Sequence, residues 1–167
     1  LSVSIDGDFV AIGAPGDDPH GTSSGSAYVF GRDIGGDGNW GQAAKLTAAD
    51  GEMGEFFGYS ICHSAGHVVV GAYVDDDQGP SSGSAYLFDR DYGGFDNWGQ
   101  VTKLLPDDGA EGDCFGRSVC VNGDLILCGA VGKDDSAENA GAAYLFGRDT
   151  GGDGNWGQFA KILASNP

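Results

Sequence analysis

Basic residues are scarce in this chain: its 167 residues hold 8 Lys and Arg against 25 Asp and Glu, a formal charge of −17. Nucleic acids are bound through clustered Lys and Arg, and anionic membrane surfaces repel so acidic a chain, so neither partner is expected. No run approaches 18 consecutive apolar residues, so no membrane insertion by a helix is expected, and Leu1-Ser2-Val3-Ser4-Ile5 lacks the basic start and apolar stretch of a signal peptide. Histidine occurs three times, and none of His20, His63 and His67 belongs to a helical metal motif, because His63 and His67 flank an expected hairpin turn. Gly-rich runs such as Gly35-Gly36-Asp37-Gly38 lack the lysine of a phosphate loop. Carboxylate pairs are abundant, so a glycosidase-type pair is left to geometry; the expectation is that the chain is not an enzyme. The cysteines, Cys62, Cys114, Cys120 and Cys128, form no Cys-x-x-Cys pair. They are read either as disulfides, with three pairings open, or as free thiols acting as small hydrophobes.

Glycine, by contrast, is abundant at 32 residues. Each glycine in a helix interior costs about 1 kcal/mol, which excludes helical bundles. The glycines also cluster, as in Gly93-Gly94, where collagen needs one at every third position.

The chain repeats with a period of 58: Trp40, Trp98 and Trp156 share one phase, and Tyr28, Tyr86 and Tyr144 another. Ser-Gly-Ser-Ala-Tyr-Val-Phe at 24–30 returns at 82–88 with Leu87 for Val29 and, further altered, at 140–146, while Asn39-Trp40-Gly41-Gln42 returns at Asn97 and Asn155. The units are 1–58, 59–116 and 117–167, the third incomplete at its C-terminal end. Within a unit, Leu1 to Ile5 alternates as a half-buried strand does, Asp6-Gly7-Asp8 supplies a turn, and Phe9 to Ala14 is apolar enough for a strand buried on both faces. Ser26 to Phe30 and Ala43 to Thr47 complete a four-stranded antiparallel meander, so the fold class is all-β, with three propeller-like blades. One such blade buries too little surface to stand alone, so neighbours must stack face to face. Trp40, Trp98 and Trp156 are expected to cover that packing; stacking on sugars is the alternative role.

Phe57-Gly58 and Phe115-Gly116, followed 13 residues later by Gly71-Ala72-Tyr73 and Gly129-Ala130-Val131 in register with Gly13-Ala14-Pro15, resemble the FG-GAP repeat family in its bacterial-type variant. Related repeats build the β-propeller of integrin α chains. The resemblance implies four-stranded blades, an extracellular or cell-surface setting, adhesion or ligand display, bound calcium and no enzyme activity. The integrin-like acidic calcium loop between the Phe-Gly and Gly-Ala elements is missing here, since that stretch reads only Asp6-Gly7-Asp8, Ser64-Ala65-Gly66 or Asn122-Gly123-Asp124.

Acids instead follow the Gly-Ala element: Asp17 and Asp18, then Asp75, Asp76 and Asp77, then Asp134 and Asp135 behind Lys133. Calcium takes six to eight oxygens from such Gly-flexible loops, so these are the candidate metal ligands, with good turn chemistry as the plain alternative. Lys133 makes the third unit the weakest candidate. Arg32, Arg90 and Arg148 recur at the end of the third strand, where a loop clamp or ion pair is expected. Phe57 and Phe115 are assigned structural roles.

Propellers close with four to eight blades, so three units require further blades or further copies. Three functions follow as expectations: an extracellular module binding a protein or glycan ligand in adhesion, a self-assembling fibre or matrix protein built by head-to-tail stacking, and a lectin. Loops that differ between units, such as Pro19-His20-Gly21 against Ser136-Ala137-Glu138, favour display of a specific surface over three equal sugar sites.

Overall fold

Twelve strands form in a computed structural model that describes residues 2–135 and 140–165. The first sheet comprises β1 (Ser2–Asp6), β2 (Phe9–Ala14), β3 (Ser26–Arg32) and β4 (Trp40–Leu46), and the second β5 (Ser60–Ser64), β6 (His67–Ala72), β7 (Ser84–Asp89) and β8 (Gly99–Leu104). The third comprises β9 (Phe115–Asn122), β10 (Leu125–Ala130), β11 (Ala142–Gly147) and β12 (Gly157–Leu163). Each is an antiparallel meander in chain order. Gly7 and Gly123, both at φ 56°, adopt the left-handed conformation that so short a hairpin turn demands. A register shift recurs at Val29/Phe30, Leu87/Phe88 and Leu145/Phe146, a bulge that bends the outer strand pair alike in every blade.

The blades stack in chain order without closing a ring. Because side chains alternate across a strand, each sheet presents two faces. Ala11, Val29 and Leu46 of the first sheet meet Ile61, Val68, Val70, Phe88 and Trp98 of the second. On the far face of the second sheet, Val69, Leu87 and Leu104 meet Val121, Ile126, Tyr144 and Phe146 of the third. Each large apolar side chain so buried contributes about 1.5–3 kcal/mol. Only β6 shows the two-sided burial expected of every second strand; β2 and β10 each keep an open face, since only the middle sheet has neighbours on both sides.

The two sequence signatures meet at the blade boundary. A Cβ on Gly13 would lie 1.9 Å from the carbonyl oxygen of Gly58, and one on Gly71 would lie 1.9 Å from that of Gly116. The Gly-Ala glycine is therefore the seat on which the next blade's Phe-Gly backbone rests. Ser2 Oγ donates to that Gly58 carbonyl at 2.9 Å, and Ser60 Oγ to the Gly116 carbonyl at 2.7 Å. The N–H groups of Phe57 and Phe115 donate back to Ser24 and Ser82 carbonyls at 3.0 and 2.9 Å. Their fully buried rings stand edge-on to Tyr86 and Phe88, and to Tyr144 and Phe146.

His63 lies in the first interface between the rings of Phe9 and Trp98, at centroid distances of 6.3 and 5.8 Å, and neither ring nitrogen has a hydrogen-bond partner among the described residues. Burial holds its pKa below the usual 6.5, opposed by the Asp6 charge and reinforced by His67. The unfolded chain then binds a proton that the folded chain refuses, so stability falls as pH drops below 6.5. His63→Phe is expected to flatten the thermal midpoint between pH 6.5 and about 5 relative to the wild type, measured by calorimetry; parallel profiles would contradict the assignment.

Candidate functional site

The acids after each Gly-Ala element lie at one end of the blades, and each group converges on a lysine that shares the 58-residue phase. In the second blade Lys103 Nζ lies 2.8 Å from Asp75, 2.7 Å from Asp77 and 2.9 Å from Asp50. Asp75 is fully buried and also accepts the hydroxyls of Ser84 and Tyr86, each at 2.9 Å. In the first blade Lys45 meets Asp17 at 2.8 Å, with the Tyr28 hydroxyl donating to the same carboxylate at 2.7 Å. In the third, Lys161 bonds Asp135 and lies 2.5 Å from Asp108, which accepts the Tyr144 hydroxyl at 3.0 Å. All three ammonium groups sit 5.2–5.5 Å from the centroid of the tyrosine ring of their own blade.

Burial works against the Lys103 charge, yet its bonds to Asp75, Asp77 and Asp50 hold it above the ordinary lysine range. Asp50 and Asp108 are also partly desolvated, but Lys103 and Lys161 respectively hold them below the usual carboxylate range; Lys45, then Tyr28, does the same for Asp17. Burial raises Glu55, whose carboxylate accepts the Glu52 N–H at 2.8 Å. Its counterpart Asp113 is paired with Lys133 at 3.0 Å, and Lys133 also donates to the Asp108 carbonyl at 2.6 Å. Asp18 accepts the Ser23 N–H at 2.7 Å, and Asp76 and Asp134 are exposed.

Calcium requires six to eight oxygens around one point. Here the oxygens of Asp50, Asp75 and Asp77 already surround an ammonium, and among the described residues no group of three or more His, Cys, Asp or Glu is arranged to hold a metal ion. The donor set does not fit the ion that the resemblance implies. Lys45, Lys103 and Lys161 were not singled out as site residues in the sequence, although they share a phase with Trp40, Trp98 and Trp156; that phase was the available signal.

The arginines clamp loops. Arg32 pairs with Asp8 at 3.2 Å and Arg148 with Asp124 at 3.5 Å, each an acid of its blade's first hairpin. Gly66 holds that phase in the second blade, so Arg90 turns to Asp96 and lies 4.6 Å from the centroid of the Phe9 ring in the neighbouring blade. The tryptophans do not offer three equal sugar platforms: Trp98 is buried against Phe9, Trp156 is half-buried edge-on to His67, and Trp40 is exposed. Cys62, Cys114, Cys120 and Cys128 are free thiols in the structure. Cys62 and Cys120 are neighbours with sulfurs 3.9 Å apart, and Cys62 Sγ takes the inter-blade N–H bond of Val121 as Ser4 Oγ takes that of His63. Cys128 is the buried small hydrophobe, its thiol pushed up by burial. The loop at 136–138 lies outside the described residues.

Removing the Lys103 ammonium strands a buried carboxylate. Lys103→Met is expected to destabilise the chain by about 3–5 kcal/mol in urea unfolding, and the exposed Lys45→Met by far less. Wild-type melting is expected to be the same in calcium as in excess EDTA. Equal costs for the two variants, or a calcium-dependent midpoint, would contradict this account.

No curated protein matches the chain. The family model described as FG-GAP repeat matches residues 1–30, 40–88 and 98–146, which together span most of the three sheets described above. With the Phe-Gly and Gly-Ala elements in mutual contact at both blade boundaries, the chain belongs to the FG-GAP repeat family.

Proposed function

We propose that this chain is a non-enzymatic protein-interaction module of an extracellular or cell-surface protein, acting in adhesion. FG-GAP repeats suggest protein interaction, and the observation that carries the reading is the pair of apolar blade faces left open at the two ends of the stack. Val3, Ile5 and Trp40 are 66%, 67% and 41% exposed, although their counterparts Ile61, His63 and Trp98 are buried in the first interface. At the other end Leu127 and Ile162 are 39% and 52% exposed, although Val69 and Leu104 are buried in the second. Large uncovered apolar patches mark interaction surfaces. Phe95, Tyr92 and Ile34 add exposed side chains on the loops between the third and fourth strands.

The same observation favours a second reading, in which copies stack head to tail into a fibre or matrix. The exposed faces are those that the two internal interfaces bury, and a heterologous contact of this kind extends or closes according to its rotation. Light scattering tests the stacking reading, and adhesion of coated surfaces tests the first. The mass is expected to rise above the 17.0 kDa of one chain with concentration, and more steeply at higher salt, because the −17 charge is then screened. Ile5→Asp and Ile162→Asp are each expected to weaken association by at least about tenfold. A constant single-chain mass would remove the stacking reading; failure of surfaces coated with the chain to adhere to cells or to one another would remove the adhesion reading.

A further inference from the structure

Cysteine stands in for serine at one contact point between blades, twice in succession. Ser4, Cys62 and Cys120 share the 58-residue phase, each within the first strand of its blade. At the first boundary Ser4 Oγ accepts the His63 N–H of the next blade at 3.0 Å. At the second, Cys62 Sγ accepts the Val121 N–H at 3.3 Å. That bond aims Cys62 at the residue after Cys120 and so brings the two thiols together, with the sulfurs 3.9 Å apart. The first boundary has no such pair, because a serine hydroxyl occupies its half of the contact.

The other two cysteines lie apart from this pair. In the ladder between β9 and β10, Cys120 is opposite Leu127 and Cys128 is opposite Val119. Neighbouring residues of a strand point to opposite faces, so Cys128 projects away from Cys120. It is fully buried with Ile126 and Tyr144 in the second interface. Cys114 lies in the turn that enters β9, at the end of that strand away from Cys120.

We propose that Cys62 and Cys120 form a thiol-oxidation site, at which a low-molecular-weight disulfide such as oxidised glutathione is reduced and the second and third blades become covalently joined. The site stands whether or not the chain binds a partner protein. A disulfide holds its sulfurs at about 2.05 Å, so each side chain has to move its sulfur by about 1 Å. The chemistry is thiol–disulfide exchange. A thiolate of the pair attacks one sulfur of the small disulfide, breaks its S–S bond and expels one small thiolate. The second cysteine, as thiolate, then attacks the protein sulfur of the mixed disulfide, expels the other small thiolate and forms the Cys62–Cys120 bond. Two protein thiols are oxidised, one small disulfide is reduced to two thiols, and the two protein protons end on those thiols. The bond closes a loop of one full 58-residue period, and it spans a boundary already set by the Phe-Gly seat, so it removes unfolded conformations without moving the blades.

The test uses the 167-residue chain, first reduced and then equilibrated in its folded state with oxidised glutathione. Titratable thiols are expected to fall from the four of the sequence to two, the mass to drop by two hydrogens, and digestion without reductant to yield the Cys62 and Cys120 peptides joined. The oxidised chain is expected to melt about 5–10 °C above the reduced chain. Cys62→Ser installs the residue that the first blade already carries, so this variant is expected to match the reduced wild type in thermal midpoint, to retain its thiol at Cys120 or trap a glutathione there, and to show no rise on oxidation. Four thiols persisting in the folded wild type, a stable glutathione adduct in place of the internal bond, or a linkage mapped to Cys114 or Cys128 overturns the proposal. So does a wild-type midpoint that oxidation leaves unchanged, or one that it raises equally in Cys62→Ser.

Discussion

The contact of a Phe-Gly turn on a bare glycine is the constraint from which the rest of the structure follows. The Gly58 and Gly116 carbonyls rest where side chains on Gly13 and Gly71 would stand, and this fixes how far apart and at what angle consecutive sheets lie. Once that distance is set, the side chains between the sheets must fill a gap of constant size. Val68, Val70 and Phe88 do so in one interface, and Ile126, Cys128 and Phe146, their counterparts one period later, in the other. Interiors packed to this density admit little change in volume. The unbroken 58-residue period is the trace of that restriction in the sequence.

The lysine of each blade solves a second problem, the concentration of acid at one end of the stack. In the second blade it lies among carboxylates from two different loops: Asp75 and Asp77 follow β6, and Asp50 belongs to the connector from the first blade. One ammonium thus ties a blade to the chain segment that enters it. The third blade repeats the device through Asp108 and Asp135, whereas Lys45 has Asp17 from its own blade. The clamp and the Phe-Gly seat act on the same boundary, one by charge and one by shape.

The period, the four strands of each blade and the arginine clamps were legible because each has a local cause: alternation makes a strand, Asp and Gly make a turn, and an arginine at a strand end has a nearby acid. The acidic loops were legible as sites of concentrated charge and not as to what neutralises them. The partner, Lys103, lies 28 residues beyond Asp75 on a different strand, and its single positive charge among so many acids reads as a surface residue until the fold is known. The unequal burial of Trp40, Trp98 and Trp156 was hidden for another reason: equivalent positions in a repeat become inequivalent in space when one blade is central and two are terminal.

The central claim is that glycine at the Gly-Ala element is required by the neighbouring blade and not by its own strand. Equilibrium unfolding of Gly71→Ala and Gly129→Ala tests it, since the two positions share a phase and a strand conformation and differ in whether a Phe-Gly turn lies on them. The account predicts a loss of roughly 3 kcal/mol for Gly71→Ala and a near-neutral effect for Gly129→Ala. Equal losses would place the requirement within the strand and contradict the account.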